Sequence, residues 1–421
     1  MLRGARQVGK TALVRRLAES TGLTLCEINF ERMPRLRHLI DEAPDLAPGS
    51  LLPLIGALLG VEIIAERTLL FFDEIQECGQ AVVALRYFFE EMPNLHVIAA
   101  GSLLEFTLSR VSIPVGRISF LYVHPMSFEE FLGATGRSTL HKQRPLLNIR
   151  QEHQELPKAI HDALRDALRE YFIVGGMPAC IAEYTESRSF FKVRTIQADI
   201  IQTYLADVRK YAKGDAQISN IGEVMASAFS FVGQQISYTA LGDGDAIKRT
   251  KQSVRLLAQA QILHIVKATT SVEKPPLSAG ASDKVFKIVF LDIGLGQQLS
   301  GVKMEDLIAA KDFIATYEGK LTEQFIGQEL IASDPLSSEG LYYWRRNERG
   351  SSSEIDYLFS RDGRTLPMEI KSGPAGRLKS LHIFLEKFGG DGVCLQDSPR
   401  IGYIGNVSFI PLYARLADLG H

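Results

Sequence analysis

The sequence predicts an α/β protein: a parallel sheet carrying helices at the N-terminal end, a helical middle, and a smaller α/β region at the C-terminal end. Three observations point there. Unbroken apolar runs in RTLLFFDE (67–74) and NLHVIAAGS (94–102) suit strands buried on both faces of a parallel sheet. The glycine-bearing stretch GARQVGKT opens onto TALVRRLAES, whose apolar residues recur at helical spacing. Near the C-terminus, LYYWRRN, SSEIDYLFS and TLPMEIKSG read as successive short strands after a helical segment.

Composition narrows the class. The 421 residues suffice for two or three domains, and 46% hydrophobic with 23% charged residues describes a globular chain. A formal net charge of −2 excludes a generally basic coat for nucleic acid, although the 47 Lys and Arg can still cluster locally. Cys26, Cys78, Cys180 and Cys394 lie far apart without a C-x-x-C pair, which argues against a zinc site and for a reducing cytoplasm. No secretory signal opens the chain. The most apolar stretch, LLPLIGALLGVEIIA (51–65), is too short to span a membrane and is expected to be a buried helix.

Gly4, Gly9, Lys10 and Thr11 fit G-x-x-x-x-G-K-[ST], a loop whose backbone N–H groups cradle nucleotide phosphates at a helix N-terminus. In that pattern Gly4, Ala5, Arg6, Gln7, Val8, Gly9, Lys10, Thr11 and Ala12 surround the phosphates of ATP. Lys10 reaches the β- and γ-phosphates, and the Thr11 hydroxyl holds Mg²⁺. Such a loop follows a buried strand, yet only Met1, Leu2 and Arg3 precede it here. The first strand is therefore expected to be missing, with an in-frame extension upstream in the genome.

The second strand of this region ends in Asp73 and Glu74, acidic residues at the carboxyl end of a buried strand, where α/β sheets bind ligands. Asp73 is the candidate Mg²⁺ partner, and Glu74 the candidate group to orient or deprotonate an attacking water. The next strand ends at Gly101-Ser102, where Ser102 either senses the γ-phosphate or caps a helix. Arg117 is a candidate to stabilise transition-state charge, on this chain or on a neighbouring subunit, and otherwise is a surface arginine.

GARQVGKTALV, LLFFDEIQE, VIAAGS, VGRISFLYVHPMSFEEFL and YFIVGGMP together resemble a large prokaryotic family of AAA-type P-loop ATPases. Its members carry an uncharacterised C-terminal domain with a restriction-endonuclease-like fold. The resemblance implies a P-loop NTPase sheet and the binding and turnover of ATP by Lys10, Thr11, Asp73 and Glu74. It implies three regions: an ATPase domain over 1–135, a helical and winged-helix-like region over 136–275, and a C-terminal domain over 276–421.

In the middle, residues 136–160 are polar with scattered proline and read as an exposed connection. Helical spacing then runs from about Lys158 to Tyr211, interrupted by a turn at VGGMP (174–178). QQISYTALGDGDAIKRTKQSVRLLAQAQILHIVKA has the helix–turn–helix–strand order of a winged helix. Lys248, Arg249, Lys251 and Arg255 sit near the start of its second helix, where a DNA-reading helix needs positive charge; the same face could serve protein contacts.

In the C-terminal part, KVFKIVFLDIGLGQQL gives an apolar strand and a turn, and GKLTEQFIGQELIAS a helix with carboxylates Glu323 and Glu329. Asp362-Gly363 suits a hairpin turn between the following strands. Asp356, with Glu369 and Lys371 two residues apart on one strand face, forms the sparse PD-(D/E)xK signature. Asp356, Glu369 and Glu323 would hold a metal ion, and Lys371 would position the water. The leading expectation is thus a Mg²⁺-dependent ATPase that couples hydrolysis to a conformational change in its C-terminal part, with self-association plausible. The rivals are a metal-dependent nuclease gated by ATP, and a nucleotide-gated DNA or protein adaptor without catalysis.

Overall fold

A computed structural model describes residues 1–421 apart from 103, 105–115, 148–149, 213, 242–245, 274–275, 310–318, 337–339, 347–352, 362–363, 372–377 and 417–421. The expected Asp362-Gly363 turn lies outside the described residues. The chain forms two compact units, Met1–His124 and Pro125–His421.

The first unit is built on parallel strands β1 (Leu2–Arg3), β2 (Thr24–Asn29), β3 (Thr68–Asp73), β4 (His96–Ala99) and β5 (Leu121–Tyr122). β2 pairs with β3, β3 with β4, and β1 with β5, and a parallel bridge from Leu2 to Ala100 joins the two sets. The spatial order is therefore β2-β3-β4-β1-β5. This corrects the expectation of a missing first strand. Leu2 and Arg3 supply its carboxyl end in the middle of the sheet, with Gly101 N–H donating to Leu2 O at 3.4 Å and Val123 N–H to Arg3 O at 2.7 Å.

All six residues of β3 are buried, which explains its unbroken apolar run. Leu69 and Phe71 face a cluster with Leu2, Val14 and Ala18, the last two from helix α1 (Lys10–Thr21). Leu70 and Phe72 face the opposite cluster with Leu36, Ile55, Val82 and Phe88. Those come from α2 (Pro34–Asp41), α3 (Pro48–Leu59) and α4 (Gly79–Glu91). Alternation along one strand thus feeds two cores. The stretch expected as a buried helix is α3, which buries Leu51, Leu52 and Ile55 but leaves Leu54 and Leu58 half exposed. It stops at Gly60, whose φ of 69° ends the helix in left-handed backbone. Among the described residues no helix is long and apolar enough to cross a membrane, and the four cysteines are free and buried.

The second unit holds a nine-stranded mixed sheet. Its strands are β6 (Gln154–Glu155), β7 (Leu263–Thr269), β8 (Ala281–Phe290), β9 (Tyr342–Arg345), β10 (Glu354–Arg361), β11 (Arg364–Lys371), β12 (Gly392–Gln396), β13 (Arg400–Ile404) and β14 (Val407–Pro411). The order is β6-β13-β14-β12-β11-β10-β9-β7-β8. The division between the two compact units falls after His124. SFEEFL belongs to the second unit because Phe128 N–H, at the start of helix Phe128–Ala134, donates to the buried Glu329 at 2.9 Å. The 275/276 junction falls inside the antiparallel β7–β8 hairpin, which joins β9 in the same sheet. Residues expected as an exposed connection also engage: Arg144 is buried and donates to Tyr413 O at 2.6 Å and to Ala414 O at 2.9 Å.

The VGGMP corner lies between helices Lys158–Val174 and Pro178–Ser187, as its composition predicts. Asp292 accepts Gly176 N–H at 2.5 Å and Leu295 N–H at 2.9 Å from full burial, capping helix Ile293–Leu299. A Cβ on Gly175 would lie 2.2 Å from Asp292 Oδ1, and one on Gly176 2.2 Å from Met126 O, so both glycines are required by close approach. Asp292→Ala strands these two buried N–H groups and is expected to cost about 1–3 kcal/mol. Urea unfolding followed by Trp344, the chain's one tryptophan and a member of this unit, measures it. A change below about 0.5 kcal/mol contradicts it.

Candidate functional site

The site in the first unit is assembled where β1 hands the chain to α1. Gly4 approaches the carboxyl end of β5 so closely that a Cβ would sit 2.2 Å from Val123 O. Gln7 (φ 66°) and Gly9 (φ 100°) take left-handed backbone, which curls the loop. Gly9 gives α1 no side-chain cap, so no side chain competes for the amides at the helix start. Ala5 and Val8 anchor the loop from beneath, at 1% and 3% exposure, while Gln7 and Ala12 face solvent.

Lys10 is buried, and its ammonium donates to Gly4 O at 2.9 Å and Ala5 O at 2.7 Å. Burial lowers its pKa to about 8, against the opposing pull of Glu74 and Asp73. The Thr11 hydroxyl donates to Asp73 Oδ2 at 3.2 Å, and Asn29 Nδ2 donates to the same oxygen at 3.0 Å. Asp73 Oδ1 accepts Glu74 N–H at 3.1 Å. Glu74 turns out of the strand at φ 50°, and its carboxylate accepts from the Gln76 amide. Lys10, Thr11, Asp73 and Glu74 are thus brought together, although they lie on two segments far apart in sequence.

Thr11, Asn29, Asp73 and Glu74 line a cleft of about 290 Å³ with Arg6, Arg15, Glu27, Glu31 and Arg32. Arg6 is paired with Glu31 at 3.1 Å, and Arg15 with Glu27 at 2.7 Å. Several expected residues, Lys10, Ser102 and Arg117 among them, do not line it. Ser102 is buried just beyond Gly101, where a Cβ would meet Gln76 Oε1 at 2.3 Å. Arg117 forms an ion pair with Glu90 of α4 at 2.9 Å. Asn29 and Gln76 escaped the motif search. Asn29 ends β2 in register with Asp73 at the end of β3, a pairing that only the folded sheet reveals.

The C-terminal carboxylates are arranged differently from the expectation. Glu323, on helix Lys320–Ser333, and Asp356, on β10, face the ammonium of Lys287 at 2.7 and 3.5 Å. Glu354 pairs with the same ammonium. Glu369 instead pairs with Lys371 at 2.6 Å. Burial pushes the Glu323 and Glu369 carboxyls up to about 7. Burial also pulls Lys287 down, but Glu323, Asp356 and Glu354 outweigh it and hold the ammonium well above the usual lysine range. Among the described residues no group of three His, Cys, Asp or Glu could hold a metal ion. Lys287 was missed, and its signal was the single charge inside the apolar run VFKIVF.

In helix Ala246–Gln259, Thr250, Ser253, Val254 and Leu257 are buried, while Lys248 and Arg255 are exposed. Lys251 lies over the Tyr238 ring at 5.3 Å. Arg255 lines a cleft of about 210 Å³ with Tyr238, Lys267 and Asp283, and Lys267 pairs with Asp283 at 2.8 Å.

Three stretches match known family models. Residues 165–306 and 318–414 match two domains of unknown function, DUF8612 and DUF4143. No curated protein matches the chain. Residues 1–132 match an AAA domain, which supports an AAA-type P-loop ATPase domain, with nucleotide binding, at the N-terminal end.

Proposed function

We propose that the chain is an ATP phosphohydrolase whose active groups are Lys10, Thr11, Asp73 and Glu74. The observation that carries this is the convergence of Thr11, Asp73 and Glu74 on one cleft, beside a buried lysine whose ammonium donates to the loop carbonyls of Gly4 and Ala5. A triphosphate offers that ammonium charged oxygens in place of the carbonyls of Gly4 and Ala5, and hydrogen bonds between ions are roughly twice as strong as neutral ones. Backbone N–H groups of the loop and the first turn of α1 take the remaining phosphate oxygens.

The Thr11 hydroxyl and Asp73 carboxylate form an oxygen-rich pair suited to Mg²⁺, which when bound supplies neutralisation of phosphate charge. Asn29 keeps Asp73 turned toward Thr11. Glu74 is the group to orient the attacking water and accept its proton, and Gln76 fixes its carboxylate. In this scheme the cycle drives a conformational change felt in residues 125–421.

Phosphate release with Mg·ATP is the test. Lys10→Ala is expected to lose ATP binding and turnover together. Glu74→Gln is expected to keep binding and lose about a hundredfold or more in rate. Gln76→Ala is expected to lower the rate with little change in KM, because it acts through Glu74. Unchanged turnover in Glu74→Gln contradicts the assignment.

The lowered lysine pKa gives a pH dependence. The free protein binds the triphosphate through the protonated amine, so affinity is level below pH 8 and weakens as pH rises through about 8. The loss approaches tenfold per pH unit beyond that. A fluorescent ATP analogue titrated between pH 6.5 and 9.5 measures it; level affinity throughout contradicts it. Coupling has its own readout: ATP is expected to change Trp344 fluorescence in the wild type and not in Lys10→Ala.

A further inference from the structure

The PD-(D/E)xK signature implies a divalent cation among Glu323, Asp356 and Glu369, and the arrangement of these residues gives a direct test of fit. The space that Glu323 and Asp356 face is taken by Lys287 Nζ, on a side chain only 1% exposed. An ammonium has three donors, and three carboxylates surround this one: Glu323, Glu354 and Asp356. The second oxygen of Asp356 accepts Ile370 N–H at 2.8 Å, so both its oxygens are engaged. The Tyr343 ring closes another side, 5.3 Å from the ammonium. Glu369 is drawn off by Lys371. A divalent cation needs about six oxygen ligands. Here it would meet a positive charge already at the centre, and among the oxygens of these carboxylates only Glu369 Oε2 is buried without a hydrogen-bond partner, in a setting where like charges repel strongly. The residues do not fit the metal.

We infer that Lys287 is the resident counter-ion of this cluster, and that the cluster is a lock and not a divalent-cation site. The lock has a defined place in the fold. Along β8, Phe286 packs at a tilt against Tyr238, ring centroids 4.7 Å apart, while Lys287 points to the other face, into the carboxylates. β8 stands at one end of the sheet order and pairs with β7. Lys287 fastens that end strand to helix Lys320–Ser333 through Glu323 and to β10 through Glu354 and Asp356. Gln235 reinforces it by donating to the other oxygen of Glu354. This cluster, as the described residues arrange it, therefore offers no metal-dependent route to cutting a phosphodiester.

Two measurements on the full chain test this. The first is Mn²⁺ titration without nucleotide, followed by the paramagnetic resonance of free Mn²⁺, for the wild type and for Glu323→Gln/Asp356→Asn. Any binding at the first unit is common to both, so the two curves are expected to coincide. One additional tight site in the wild type, lost in the double variant, overturns the inference. The second is thermal unfolding. Lys287→Met leaves buried carboxylates without their cation and is expected to lower Tm by roughly 5 °C or more. Adding Glu323→Gln to Lys287→Met is expected to recover part of that loss, because the uncompensated charge is removed. Strictly additive losses, or no loss in Lys287→Met, overturn the lock. Should Lys287→Met not fold, the Mn²⁺ comparison still decides.

Discussion

Parallel register is the constraint on which the first unit rests. β2 and β3 run level from Thr24 against Thr68 to Asn29 against Asp73, so both strands deliver their last polar residue to the same height. α1 begins at that height because the stub Leu2–Arg3 is hydrogen-bonded into the middle of the sheet. Thr11 can then reach Asp73, and Lys10 is tucked beneath the loop. Shift any one strand by a residue and its side chains change face, so the hydroxyl, amide and carboxylate would no longer meet.

Two buried lysines show how partners, not burial, decide what a charge can do. Lys10 has neutral carbonyls as its hydrogen-bond acceptors, and burial wins: its pKa falls to about 8. It is a charge in search of anions, and a ligand that brings them is favoured. Lys287 has three carboxylates, and they win: its pKa rises well above the usual range. Removing it would cost stability, so it stays. In the proposed function the first lysine exchanges partners when nucleotide binds, and in the inferred lock the second does not.

Much of the first unit was legible in the sequence because its signals are local. The loop motif lies within eight consecutive residues, and the apolar run of β3 with its terminal acids announces both a buried strand and a ligand edge. Asn29 and Gln76 were not legible as site residues, since their roles depend on strand register and on a left-handed turn at Glu74. The first strand was underestimated because two residues carry no periodicity. The C-terminal carboxylates were found, but their buried lysine partner was not. Lys287 comes from a strand far away in the chain, and only the sheet brings it to Glu323 and Asp356. Likewise the turn region near 275/276 reads locally as an ending, whereas the strands on either side of it, β7 and β8, pair in one sheet.

The most direct test of the central claim is proton uptake on nucleotide binding. Calorimetric titration of the full chain with Mg·ATP at pH 8, in two buffers of different ionisation enthalpy, measures it. With Lys10 near half-protonated in the free protein and fully protonated against phosphate, about half a proton should be taken up per ATP bound. Binding with no proton uptake at that pH would mean that Lys10 does not pass from carbonyls to phosphate, and the account would be wrong.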